Sequence, residues 1–153
     1  MIRLLTALIL GCLAWTAAIA PARAATARNT IGLKATVVTA CTVDVTDLGV
    51  ALDVVGGETK RQVGSVVENC NDAKGYTITV NSANNGKLQS GKNTVTFTTL
   101  YDGTTGNGSG SVSVTRSKAT FAKTAAVAVT IAGNAKTIAG NYTDTLTITI
   151  KAK

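Results

Sequence analysis

The segment that most limits the fold is Tyr142 to Lys151, where Tyr142, Leu146, Ile148 and Ile150 alternate with Thr143, Thr145, Thr147 and Thr149. A period of two puts one set on a buried face and the other in solvent, as in a half-buried β-strand. Threonine suits the outer face, being β-branched and polar, so it favours extended backbone while staying wettable. The sequence runs only three residues past Ile150, to Lys153, and offers no successor to this strand. The expectation is a β-sandwich whose terminal strand lacks one neighbour, leaving an exposed edge of the kind that recruits strands from other chains.

The amino terminus reads as an export signal. Arg3 supplies a positive start, Leu4 to Ala20 an uncharged apolar run, and Ala22-Arg23-Ala24 a small-residue cleavage site, so residues 1–24 are expected to be a signal peptide and Ala25 the mature start. Two other readings stand beside it: a lipoprotein acylated at Cys12 in Ile9-Leu10-Gly11-Cys12, and a membrane anchor, for which the apolar run is short and is followed at once by Pro21 and Arg23. Removing 24 of 153 residues leaves 129, one domain's worth, and losing Arg3 and Arg23 lowers the formal charge from +7 to +5. Of three cysteines only Cys41 and Cys70 remain, an even pair in an exported chain, so a disulfide is expected. Closing that loop contributes on the order of 3–4 kcal/mol by the chain-entropy estimate.

The mature sequence reads as all-β, since short alternating runs separated by Gly, Asn and Asp dominate it. One strand phase is Ala35, Val37, Thr39, Cys41, Val43 and Val45, and a second is Leu48, Val50, Leu52 and Val54, closed by Gly56-Gly57. Val63 to Glu68 reads as a short strand, and Tyr76, Ile78 and Val80 as the next. Asn81 to Asn93 and Asp102 to Gly110 read as turns and loops. Val95, Phe97 and Tyr101 share a face, as do Val112 and Val114; Phe121 follows, then Val127, Val129 and Ile131 share another. About seven strands at turn spacings near ten residues make the pattern of an immunoglobulin-like sandwich.

No catalytic, cofactor or metal site is expected. The sequence has no histidine, two cysteines alone do not make a zinc site, and the eight acids are scattered as Asp44, Asp47, Asp53, Glu58, Glu68, Asp72, Asp102 and Asp144. Asp144 falls in the inward phase of the terminal strand, where it is expected to accept hydroxyl or backbone hydrogen bonds at the strand mouth. Gly86 to Asn93 nearly matches a phosphate-cradling loop, but Asn93 replaces the magnesium-binding hydroxyl and a strand-like run follows where a helix is needed. The basic residues are dispersed and the few aromatics lie mostly in core phase, so nucleic acid is not an expected partner.

Three stretches taken together resemble the spore coat protein U domain found in archaic chaperone-usher pilus subunits. They are Ala35-Thr36-Val37-Val38-Thr39-Ala40-Cys41-Thr42-Val43, the strand Tyr76-Thr77-Ile78-Thr79-Val80 after the second cysteine, and Ile138 to Ile150 with its Gly-x-Tyr-x-Asp-Thr core. The tail Lys151-Ala152-Lys153 departs from the apolar or aromatic end such subunits tend to have. The resemblance implies an incomplete immunoglobulin-like domain over residues 35–153, lacking its last strand and preceded by a donor extension over 25–34. It further implies a periplasmic chaperone, an outer-membrane usher and sibling pilin subunits as partners, and a route through the periplasm to the surface of a Gram-negative cell.

The expected role is therefore a structural subunit of a surface fibre that polymerises by donor-strand exchange and supports adhesion or biofilm formation. Ala27, Ile31 and Leu33 are the donor residues and Tyr142, Leu146, Ile148 and Ile150 the acceptor strand. A tip adhesin binding through its loops, or a spore or cell coat protein, are the alternatives.

Overall fold

The computed structural model describes residues 26–153. The signal-peptide reading of 1–24 and the first residue of the extension lie outside them. The chain divides into two units at Ala35 and Thr36. Residues 26–35 of the first unit are exposed and have no regular secondary structure; Ile31 and Leu33 are 89% and 91% accessible.

The second unit, Thr36–Lys153, holds nine strands and no helix among the described residues. These are β1 Cys41–Asp47, β2 Glu58–Cys70, β3 Tyr76–Ser82, β4 Lys87–Ser90, β5 Asn93–Tyr101, β6 Thr104–Thr105, β7 Val112–Arg116, β8 Thr120–Ile131 and β9 Leu146–Ala152. One sheet runs β1-β2-β8-β5-β4 with β6 beside β5, and the other runs β7-β3-β9. Every strand pair is antiparallel. The sandwich predicted from alternation is present. The strand count rises from about seven to nine because β4 and β6 fall inside stretches read as loops. The Gly86–Asn93 stretch forms the β4–β5 hairpin, with Lys87 opposite Thr96, and no helix follows it.

The strand expected over Val63 to Glu68 is longer, β2 starting at Glu58, and three other departures from the alternation each have a local reason. The first strand begins at Cys41 and not Ala35: the Asn71 side chain accepts the Ala40 amide at 2.8 Å and donates to the Val38 carbonyl at 2.9 Å, taking groups a ladder would need. The run Leu48 to Val54 keeps its alternation but is not a strand, because after Leu48 donates to the Val63 carbonyl the chain passes through Gly49 at φ +59 and meets no pairing partner. Finally β9 starts at Leu146 and not Tyr142. Thr143 exchanges both backbone hydrogen bonds with Gln89 on β4, at 2.9 and 3.0 Å, so the chain crosses from one sheet to the other before β9 begins.

The core has two parts. At one end Val66, Cys70, Tyr76, Ile78, Val80, Tyr101, Val112, Ala125 and Val127 form a closed cluster. The Cys41–Cys70 disulfide lies there, between residues paired across β1 and β2. Gly75 enters β3 at φ +89 with its backbone against the Arg116 carbonyl, a position no side chain can occupy. At the other end a smaller cluster of Leu88, Phe97, Val129 and Ile131 is flanked by residues that are only half-buried: Leu52, Val54, Val63, Val95, Tyr142 and Leu146.

Candidate functional site

The groove follows from the register of the smaller sheet. On β9 Ile150, Ile148 and Leu146 stand opposite Ile78, Val80 and Ser82 of β3. Ile78 and Val80 are wholly buried, whereas Ile150, Ile148 and Leu146 on the same face are only partly so. The difference is a neighbour: β3 lies between β7 and β9, while β9, like β7, is an edge strand of this sheet, and β3 is its sole ladder partner among the described residues. Its outward amides and carbonyls form an edge able to accept another strand.

Beside this edge lies a cavity of about 400 Å³, lined by Val45, Val50, Leu52, Val63, Leu88, Phe97, Val127, Val129, Leu146 and Ile148, with Asp47 and Asp144 among its polar lining. Leu88, Phe97 and Val129 of the smaller core cluster line it together with Val127 of the closed cluster, and one wall is the run around Val50 and Leu52, which belongs to no strand. The groove is therefore apolar below and carries unpaired main chain at its sides. That combination fits an extended peptide, whose backbone extends a sheet while alternate side chains fill pockets. No group of three or more metal-ligating side chains occurs among the described residues.

Of the four residues read as the acceptor strand, Leu146 and Ile148 line this groove. Ile150 lies on β9 but packs against the closed cluster. Tyr142 precedes β9, lines an adjoining depression with Val50, Leu52 and Leu88, and donates its hydroxyl to the Ile138 carbonyl at 2.7 Å. Asp144 sits at the strand mouth as expected. It accepts the Ser82 hydroxyl at 2.5 Å, the Asn84 amide at 3.0 Å and the Thr145 amide at 2.7 Å, fixing the turn through which the chain enters β9. The donor residues Ala27, Ile31 and Leu33 all lie in the exposed first unit. The sequence marks Phe97 as a face-sharing strand residue and gives no role to Leu88, and both line the groove. The alternation of Leu88 with Lys87 and Gln89 was the only available signal, inside a stretch dominated by turn residues.

A buried ionic cluster was also not anticipated. Glu68, with no accessible surface, accepts the hydroxyls of Tyr76 and Tyr101 at 2.7 Å each, Arg116 Nε at 3.0 Å and Arg116 Nη2 at 2.7 Å. Arg116 Nη2 also reaches Asp102 at 2.9 Å, and Lys123 Nζ lies 3.0 Å from the same carboxylate. Burial by itself would raise the Glu68 pKa, but hydrogen bonds from Arg116, Tyr76 and Tyr101 outweigh it and hold the carboxyl below its ordinary range. Asp102 is likewise lowered: desolvation opposes ionisation, and hydrogen bonds from Lys123 and Arg116 prevail. Desolvation, then the hydrogen bond to Glu68, push both tyrosines up. Because Glu68 is on β2 and Tyr76 and Arg116 are on β3 and β7, the cluster ties the two sheets together at the disulfide end. Its members are scattered in sequence, so no local pattern announces it.

No helix among the described residues is long and apolar enough to cross a membrane. No protein-family model matches the chain. No curated protein matches it. Among solved structures it is similar to the minor tip subunit of the Hda pilus of E. coli, HdaB, at 11% identity and a TM-score of 0.42, over 74% of this chain and 84% of that one. A likeness of that size leaves the family of this chain unassigned.

Proposed function

We propose that the protein is a structural subunit of a surface pilus of the archaic chaperone-usher type, a member of the spore coat protein U domain family. In this reading residues 1–24 are removed on export and 35–153 form an acceptor domain. The groove beside β9 is held first by a periplasmic chaperone, and is then filled, at an outer-membrane usher, by the 25–34 extension of a neighbouring subunit. The observation that carries it is the open edge of β9, where Leu146 and Ile148 lie half-exposed over an apolar groove of about 400 Å³.

The extension has what such a groove needs. Ala27, Ile31 and Leu33 fall in one strand phase, and a slip of one residue would present Thr30 and Lys34 instead. Each buried Ile or Leu is worth roughly 1.5–3 kcal/mol, so the two together contribute several kcal/mol per junction.

Ile31→Asp with Leu33→Asp is therefore expected to remove the ladder of stable multimers in unheated electrophoresis, while a co-expressed chaperone still copurifies because it engages the acceptor groove. A ladder that persists in this double variant would mean that the donor lies elsewhere.

A further inference from the structure

Three pairs in the chain place glycine directly after an asparagine or aspartate: Asn85-Gly86, Asp102-Gly103 and Asn107-Gly108. At such a pair the glycine nitrogen can attack the carbonyl carbon of the preceding side chain, since no Cβ crowds its approach. The attack is favoured by exposure, by a glycine amide free of other hydrogen bonds, and by donors on the side-chain oxygen, which stabilise the oxyanion that forms. The structure supplies all three at one pair and withholds them at the others.

Asn107 opens a turn in which the Gly110 amide donates to its main-chain carbonyl at 3.2 Å. Asn107, Gly108 and Ser109 are exposed, and a Cβ on Gly108 would meet nothing within 4 Å. The Gly108 amide has no acceptor among the described residues. The Ser109 hydroxyl at 2.6 Å and the Ser109 amide at 3.2 Å both donate to Asn107 Oδ1, drawing electron density from its Cγ. At Asn85-Gly86 the arrangement is reversed. The Gly86 amide donates to the Ser82 hydroxyl at 2.6 Å, and no described donor reaches Asn85 Oδ1. Gly86 is also buried, and a Cβ there would lie 2.7 Å from the Gly110 nitrogen. At Asp102-Gly103 the electrophile is a carboxylate paired with Arg116 at 2.9 Å and Lys123 at 3.0 Å, and an ionised carboxylate resists nucleophilic attack.

We propose that Asn107 is a site of spontaneous covalent conversion in the folded protein, by way of a succinimide with Gly108, and that Asn85 is spared. The inference does not rest on the proposed function. The Gly108 nitrogen forms a bond to Asn107 Cγ and gives its proton to water. The carboxamide C–N bond then breaks, and the nitrogen takes up a proton and leaves as ammonia. Water opens the five-membered ring at either carbonyl, giving aspartate or isoaspartate at position 107. One water is consumed and one ammonia released, with no oxidant or reductant. Either product adds a negative charge to a basic chain. Isoaspartate also routes the main chain through its Cβ, lengthening a turn whose last residue, Gly110, is wedged at φ +71 against Gly86 and Ser82. The loop over the β3–β4 hairpin is thereby loosened.

The test incubates the purified, folded protein at neutral and at mildly alkaline pH and then digests it with trypsin, which leaves the two Asn-Gly pairs in separate peptides, 75–87 and 93–116. Mass spectrometry follows the change from amide to acid in each, and an isoaspartate-specific methyltransferase marks the isomer. Asn107 is expected to convert at least about tenfold faster than Asn85, at a rate that rises with pH, and the gap should close in denaturant. Ser109→Ala, which removes one donor to Asn107 Oδ1, should slow the conversion at least about threefold. Gly108→Ala should slow it further by placing a Cβ beside the attacking nitrogen. Circular dichroism checks that both variants are folded. If either is not, the two peptides of the native protein still decide. Equal rates at the two pairs in the folded protein, or protection of Asn107 by folding as strong as that of Asn85, would overturn the proposal. An unchanged rate in folded Ser109→Ala would overturn the activation assigned to the hydroxyl.

Discussion

Replacing Glu68 by glutamine isolates the contribution of the buried cluster, because the side chain keeps its size and loses only its charge and one acceptor atom. In the native protein four hydrogen bonds converge on the carboxylate, two from tyrosine hydroxyls and two from the Arg116 guanidinium, all between 2.7 and 3.0 Å. An amide in the same place offers one oxygen to these donors and turns an NH2 group toward the rest. The Arg116 guanidinium, largely buried, then keeps only Asp102 as a charged partner. Removing one member of a buried ion pair costs about 3–5 kcal/mol, a large share of the roughly 5–15 kcal/mol that holds a domain together. For a domain of this size the expected fall in melting temperature is on the order of 10–20 °C. Thermal unfolding of the mature protein followed by circular dichroism measures it. The double variant Glu68→Gln with Arg116→Met should lose less than the sum of the single losses, since neither group is then left buried without its counterpart. A fall of less than about 3 °C for Glu68→Gln, or strict additivity with Arg116→Met, would refute the role assigned to the cluster.

The pH dependence has a definite sign. Glu68 and Asp102 are held below their unfolded values, so what they contribute is present above the ordinary carboxylate range and is lost as pH falls through their depressed pKa values. Tyr76 and Tyr101 are raised, so their contribution is present below about pH 10 and is lost as the pH climbs beyond it. Denaturant midpoints should be level between those limits, and a midpoint that already fell between pH 7 and 5 would contradict the assignment. Replacing Cys41 and Cys70 by serine should cost about 2–5 kcal/mol and lower the yield of exported protein, and two free thiols found by mass spectrometry in native material would refute the bridge. Thr99 is wholly buried and its Oγ1 has no hydrogen-bond partner among the described residues, so Thr99→Val should stabilise the fold by about 1 kcal/mol; a lower denaturant midpoint would show that the hydroxyl is satisfied after all.

Period-two alternation by itself determined the all-β class and most of the strands, because the side-chain direction of a strand is a local property of the chain. The same alternation marked Leu146 and Ile148 as apolar residues on a terminal strand, and an even pair of cysteines after an expected export signal pointed to the disulfide between Cys41 and Cys70. Pairing is not local, and there the sequence misled. Leu48 to Val54 alternates as well as any strand, yet no strand forms a ladder with it among the described residues. Tyr142 keeps phase with Leu146, yet Thr143 is drawn to Gln89 on the other sheet. The open edge of the terminal strand was legible in its place in the sequence, and only the tertiary structure decided that Leu88, Phe97 and Leu52 would line the groove beside it. It likewise brought together Glu68, Tyr76, Tyr101 and Arg116, whose hydrogen bonds span up to 48 positions of sequence. A carboxylate becomes buried only when both sheets close over it, and no local pattern records that event.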